Sequence, residues 1–435
     1  MDITWNSPKD LDENQDSIDT HAAGEPLRVI VEGLPPLPGR TILEKRRYLK
    51  NNLDFLRTTL MWEPRGHADM YGAIITEPVS EGSDAGVIFL HNEGYSTMCG
   101  HGVIALTTVL LETGMLEKVG ENPVIKMDTP AGLVTAVAHR EGKRIKEVSF
   151  QNVPSFVYLK DQTVEVPGLE NVHYDLAFGG AFYAFVRAEE LGVSLEPKDF
   201  RQLIDLGMRV KKAVMNSVSI RHPFEEDLSF LYGMIIVGKT LKPGHHSKNV
   251  CIFANGEVDR SPTGTGVSAR AAIHYFKKEL SLSEPFTVES IIGTCFTGKV
   301  LATTKFGPYE AVIPEVTGSA HLAALNTNQE EIDEIERVFN EIVNSKDINS
   351  FGVKDLEFHL TIAKATHNLI MNRLMKIIGE MLYKETRKII EKSRDTRENT
   401  IETTRELVQA IKKRNAEQAK ELMSEHIRNI RVSLE

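Results

Sequence analysis

The chain has 435 residues, with 61 acidic against 51 basic side chains and a formal net charge of −10. That length implies roughly two to four domains with room for real cores. The acidic balance argues against a general nucleic-acid or anionic-membrane binder, which needs a positive footprint.

No apolar run approaches the roughly 18 residues of a membrane span. The N-terminal MDITWNSPKDLDENQD lacks the basic and apolar regions of a signal peptide. Three cysteines (Cys99, Cys251, Cys295) cannot form a disulfide framework, so a reducing, cytoplasmic location is expected.

In chain order, Leu27 to Val31 predicts a strand and Thr41 to Leu60 a helix. A strand at Gly86 to Leu90, a helix from Pro197 to Ala213 and a strand at Tyr232 to Val237 follow. Beyond residue 330 the character changes. All 18 prolines lie at or before Pro314, and the last 105 residues hold only Gly352 and Gly379. Those 105 residues carry 19 acidic and 19 basic side chains, so the whole −10 belongs to the first 330. A turn-rich α/β body followed by an all-helical tail is the reading. In the tail, helical spacing predicts helices at Gln329 to Val343, Lys354 to Lys364, Leu369 to Lys392 and Ile401 to Ile430. Four helices with short connections suggest a small antiparallel bundle.

Two segments of the body echo each other. Met98-Cys99-Gly100-His101-Gly102-Val103-Ile104-Ala105 aligns with Pro262-Thr263-Gly264-Thr265-Gly266-Val267-Ser268-Ala269, 164 residues further on. In each, a polar or nucleophilic side chain precedes Gly-x-Gly and a helix-like run. Glycine lets the backbone approach a ligand closely, and the helix start offers unpaired N–H groups and a positive dipole end. Two such ends suit one carboxylate. The same setting favours a thiolate at Cys99. Cys99 is then expected on one face of a substrate and Thr263 on the other. Cys251 and Cys295 read as packed thiols, and His245-His246 as a loop pair without metal.

With Asp19-Thr20-His21-Ala22-Ala23-Gly24-Glu25-Pro26, Arg65-Gly66-His67, Met70-Tyr71-Gly72 and Asp259-Arg260-Ser261-Pro262, these motifs resemble the proline racemase family over about residues 18–321. The resemblance implies an α/β fold of two pseudo-symmetric lobes of the diaminopimelate-epimerase type, with the active site between them and no catalytic cofactor. The first lobe is expected over 1–150 and 295–322, the second over 151–294. Racemases and epimerases of the family place a cysteine in each lobe. Here the second position is Thr263, whose hydroxyl is too weak an acid and base to replace a thiol. This cysteine–threonine arrangement resembles the family's trans-3-hydroxy-L-proline dehydratases.

The resemblance then implies roles. Cys99 is the general base that removes the Cα proton of an imino-acid substrate. Backbone N–H groups of Gly100, His101, Gly264 and Thr265 hold the carboxylate. Asp259 faces the ring ammonium, or caps the following turn. His101 is open as a donor to the leaving hydroxyl, and Thr263 hydrogen-bonds substrate or leaving group. A racemase or epimerase with an unusual second acid is the alternative. His21 and His67 read as structural.

In the tail, Asp355-Leu356-Glu357-Phe358-His359 and the stretch from Arg405 to Ile427 resemble the effector-binding (FCD) helical domain of FadR-type GntR regulators, expected over 323–435. That family commonly holds a divalent metal on one Asp and three His. Asp355, His359 and His426 match, and Thr404 stands where another histidine is expected. The winged-helix DNA-binding domain that normally precedes the bundle is absent, so no nucleic-acid partner is expected, and no membrane partner either. A dimerising appendage, a ligand sensor and a relic of gene fusion stay open, with a homodimer preferred. A sensor acting through the tail, with silent enzyme lobes, is the competing class of function.

Overall fold

The computed structural model describes residues 17–31, 33–142, 144–169, 171–240, 242–322, 329–365, 394–413, 418–419 and 422–423. It divides into two compact units between His321 and Leu322.

In the first unit a single chain of pairings is used twice. Strands β1 (Ser17–Ala22) and β2 (Glu25–Ile30) form a hairpin. Helices α1 (Ile42–Asn52) and α2 (Asp54–Met61) then cross over to β3 (Tyr71–Thr76), parallel to β2. Antiparallel to β3 runs β4 (Ala85–His91), which carries the short β5 (Gly94–Tyr95). After α3 (Gly100–Glu112), β6 (Val124–Thr129) returns parallel to β4. It continues antiparallel through β7 (Gly132–Glu141) and β8 (Arg144–Gln151).

The order then recurs. After β9 (Ser155–Glu165), β10 (Asn171–Phe178) and β11 (Phe182–Arg187) form the hairpin. Helix α4 (Phe200–Ser217) crosses to a parallel β12 (Leu231–Gly238), and β13 (Ser247–Phe253) follows antiparallel with the short β14 (Glu257–Asp259). After α5 (Gly264–Phe276), β15 (Phe286–Glu289) returns parallel to β13 and leads antiparallel through β16 (Cys295–Phe306) and β17 (Tyr309–Gly318). Finally β18 (Ala320–Leu322) pairs with β1 as β9 pairs with β10. The stretch expected in the first lobe, 295–322, is hydrogen-bonded to both: β16 pairs with β15, and β17 with β8 and β9.

Each half wraps its strands around one helix that is apolar nearly all round. Gly100 to Leu111 of α3 and Gly264 to Ile273 of α5 are buried throughout, the pattern of a core helix rather than a surface one. Ile104, Leu106 and Val109 are fully enclosed, each contributing about 1.5–3 kcal/mol by burial.

The helix predicted from Thr41 to Leu60 is two. A capping box of Thr41 and Glu44 opens α1. Leu53, at φ −131° and ψ 23°, leaves helical geometry directly after Asn51-Asn52, where helix propensity is weak.

The second unit contains α6 (Gln329–Val343), α7 (Ile348–Ala365) and α8 (Arg394–Lys412). Val338, Ile342, Phe351, Phe358 and Leu407 meet in its core. The predicted helix Leu369 to Lys392 and the candidate ligand His426 lie outside the described residues. Among the described residues no helix is long and apolar enough to cross a membrane.

Candidate active site

Helices α3 and α5 start face to face. A Cβ built on Gly100 would lie 2.6 Å from the Cα of Gly264, and one on Gly264 would lie 2.8 Å from the Cα of Gly100. Backbone cannot yield to such an overlap, so both positions require glycine. Each helix leaves the N–H groups of its first turn without internal acceptors, and two positive dipole ends come together. A bound carboxylate answers both needs.

Around this junction lies a small cavity. The first lobe lines it with Tyr71, Cys99 and His101, and the second with Tyr183, Tyr232, Cys251, Asp259, Thr263 and Thr265. The sequence-predicted set is thus brought together, with Gly100 and Gly264 at its floor.

Cys99 is the N-cap of α3 in extended conformation, and its Sγ accepts the Gly102 N–H at 3.2 Å. His101 Nδ1 lies 3.2 Å from the same sulfur. Contrary to the expectation of a stabilised thiolate, burial pushes the Cys99 thiol well above its ordinary range. The Gly102 N–H opposes this, while the nearby Asp259 and Glu25 carboxyls reinforce it. Full desolvation of a thiolate outweighs the benefit of one helix end. Burial also drives His101 down to about 3, although a hydrogen bond to the Pro26 carbonyl works the other way. His101 is therefore neutral at physiological pH and is not a cationic acid.

On the opposite side, Thr263 is the N-cap of α5 at φ 66° and ψ 89°. For a β-branched residue this left-handed backbone is strained. Its Oγ1 is buried without a hydrogen-bond partner of normal geometry, yet lies near enough to Asp259 and Cys251 to favour their ionised forms. Burial raises Asp259 to about 6. Its Oδ1 accepts the Ser261 N–H at 2.7 Å, so Asp259 both shapes the turn and faces the cavity. Cys251 sits opposite Asp259 in the β13–β14 register and lines the cavity, rather than being only a packed thiol. Burial raises its thiol well above the usual range.

Residues 17–334 match the proline racemase family model. The chain belongs to the proline racemase family. A trans-3-hydroxy-L-proline dehydratase of Colwellia psychrerythraea is 50% identical over 306 residues, covering 70% of this chain and 86% of that protein. A proline racemase of Acetoanaerobium sticklandii is 44% identical over 311 residues, 71% of this chain and 93% of its own. The crystal structure of a hydroxyproline epimerase from Agrobacterium vitis, with bound trans-4-hydroxy-L-proline, superposes with a TM-score of 0.68 at 31% identity, over 72% of this chain and 91% of that one. Residues 317–429 match the FCD domain model.

Within this proline racemase fold, sequence reasoning missed three tyrosines and one acid. Tyr71 Oη donates to Ser96 Oγ at 2.7 Å and lies 3.1 Å from Tyr232 Oη. Tyr183 Oη is 2.7 Å from Thr265 Oγ1. Glu25, fully buried, accepts the backbone N–H of Arg260 at 2.8 Å and its Nε–H at 3.3 Å. Tyr71 and Glu25 stand in quoted motifs, but their meeting depends on strand pairings that no local pattern reveals.

In the FCD unit, Asp355 Oδ1 and His359 Nε2 are 3.9 Å apart on one face of α7, and burial lowers His359 to about 4. Thr404 is buried on α8 and offers only a neutral hydroxyl. Among the described residues, no group of three or more His, Cys, Asp or Glu side chains is placed to hold a metal ion.

Proposed function

We propose that the protein is a cofactor-independent dehydratase that removes water from trans-3-hydroxy-L-proline to give Δ1-pyrroline-2-carboxylate. One observation carries the reading: Cys99 at one helix start faces Thr263 at the other. At the second helix start a hydroxyl stands where the first has a thiol.

The stereochemistry of the substrate fits that asymmetry. In trans-3-hydroxy-L-proline the Cα hydrogen and the 3-hydroxyl both lie opposite the carboxylate, hence on the same ring face. Elimination needs its proton traffic on that face alone, whereas inversion at Cα needs a donor on each. The first-turn N–H groups of Gly100, His101, Gly264 and Thr265 hold the carboxylate and stabilise charge that spreads into it from Cα. Asp259 pairs with the ring ammonium. Cys99 takes the Cα proton as thiolate, the electron pair left on Cα becomes the C2=C3 bond, and the C3–O bond breaks, the hydroxyl taking up a proton and leaving as water. The enamine formed tautomerises to the imine product. A homodimer in the cytoplasm, assembled through the FCD unit, completes this reading.

A second reading, epimerisation, draws on Cys251, whose thiol lines the cavity from the Thr263 side. Purified protein with trans-3-hydroxy-L-proline separates the two. Pyrroline carboxylate, detected as its o-aminobenzaldehyde adduct, supports dehydration. A change in optical rotation without that adduct would move the assignment to epimerisation. Neither outcome, together with ligand-dependent melting of the FCD unit, would favour a sensor.

A further inference from the structure

We propose that Tyr71 is the acid that delivers a proton to the departing 3-hydroxyl. The inference rests on the dehydratase reading and supplies the group that reading leaves unassigned.

The leaving hydroxyl lies on the same ring face as the Cα hydrogen, so its proton must come from the Cys99 side. That excludes Thr263, Cys251 and Asp259, which line the cavity from the second lobe. The first lobe offers three polar side chains there: Cys99, His101 and Tyr71. Burial drives His101 down to about 3, so it is neutral, with its ring nitrogens 3.2 and 3.7 Å from the Cys99 sulfur. The remaining N–H of a neutral imidazole is a far weaker acid than a phenol, so His101 is not the donor.

Tyr71 meets the requirements of position and supply. It opens β3, its ring meets the His101 ring edge-on at 4.8 Å between centroids, and it lines the same cavity as Cys99, near enough to favour the thiolate. Ser96 Oγ at 2.7 Å and Tyr232 Oη at 3.1 Å, the latter also lining the cavity, extend a chain of hydroxyls from it. Burial holds the phenol well above its ordinary range, so its proton is present throughout the working pH range.

The step balances. Cys99 thiolate gains the Cα proton and leaves the C2–H pair on Cα, spread into the carboxylate; that pair then forms C2=C3 as the C3–O bond breaks, and the Tyr71 O–H proton completes the water. Cys99 is left as thiol and Tyr71 as phenolate. The Cys99 proton then passes to the Tyr71 phenolate in the same cavity, and both groups are reset. The Cα proton thus reaches the leaving water through two adjacent side chains, with no net change in the enzyme. The competing route is Cys99 alone returning the same proton to the hydroxyl.

The test is Tyr71→Phe in the full chain, assayed in deuterium oxide with trans-3-hydroxy-L-proline. Pyrroline carboxylate formation is expected to fall about 100- to 1,000-fold, while recovered substrate gains deuterium at Cα because Cys99 still removes and returns that proton. Cys99→Ser, as the control, loses both signals. Dehydration by Tyr71→Phe within about threefold of the unmutated protein would overturn the proposal, since Cys99 alone would then suffice. Loss of dehydration with no deuterium in recovered substrate would overturn it as well. If the unmutated protein makes no pyrroline carboxylate, the dehydratase reading itself fails, an outcome distinct from both.

Discussion

The two helix starts occupy the same station in two copies of one topology, and they behave differently. Cys99 lies in extended backbone and caps its own helix through sulfur. Thr263, one lobe away, sits at φ 66° and makes no cap. Gly100 and Gly264, the very next residues, are nearly interchangeable, each pressed against the Cα of the other. Duplicated backbone therefore does not imply duplicated chemistry. The repeat supplies two apposed helix starts, and the residue just before each differs, a thiol in one lobe and a hydroxyl in the other.

The comparison breaks first on activity. Cys99→Ser is expected to lower dehydration by about 1,000-fold or more, since a hydroxyl replaces the base, whereas Thr263→Ser stays within about tenfold. Equal losses would mean that the lobes share the chemistry. A smaller effect appears with pH. In the proposed mechanism Asp259, raised to about 6, pairs with the ring ammonium only when ionised. Its contribution is present above pH 6 and lost as pH falls through it, so kcat/KM should drop about tenfold per unit below that point. Asp259→Asn should already be low at neutral pH and lack this limb; an unchanged limb in that variant would assign it to another group. The smallest effect is on stability. Thr263→Gly relieves left-handed strain and should raise the unfolding free energy by up to about 1 kcal/mol. Cys99→Gly loses a cap and should lower it by a similar amount, as urea denaturation would report.

Much of this was legible in the chain. The Gly-x-Gly echo placed Cys99 and Thr263 opposite each other, because a glycine pair before a helix is a local pattern with a local meaning. Gln329 to Val343 was predicted and found as α6 with the same bounds, its apolar stripe being strong. What escaped depended on distant parts meeting. The Cys99 thiol is raised by enclosure between lobes, which no feature near residue 99 announces. Cys251 reads as a core thiol in an apolar strand, and only the pairing of β13 with β14 brings it beside Asp259. Tyr71, Tyr183 and Tyr232 come from three separate strands, so their shared hydroxyl lining is a property of topology. The break at Leu53 turns on one residue's backbone geometry, which lies below the resolution of periodicity.

The glycine contact carries a further consequence for how such a protein changes over time. At Gly100 and Gly264 neither half can acquire a side chain without displacing the other, so the two copies must stay alike there. One position earlier there is no such bond between their fates, and the halves hold a thiol and a hydroxyl. The repeat thus couples a locked joint to a free slot. The group in the slot can be exchanged while the paired helix starts are left intact.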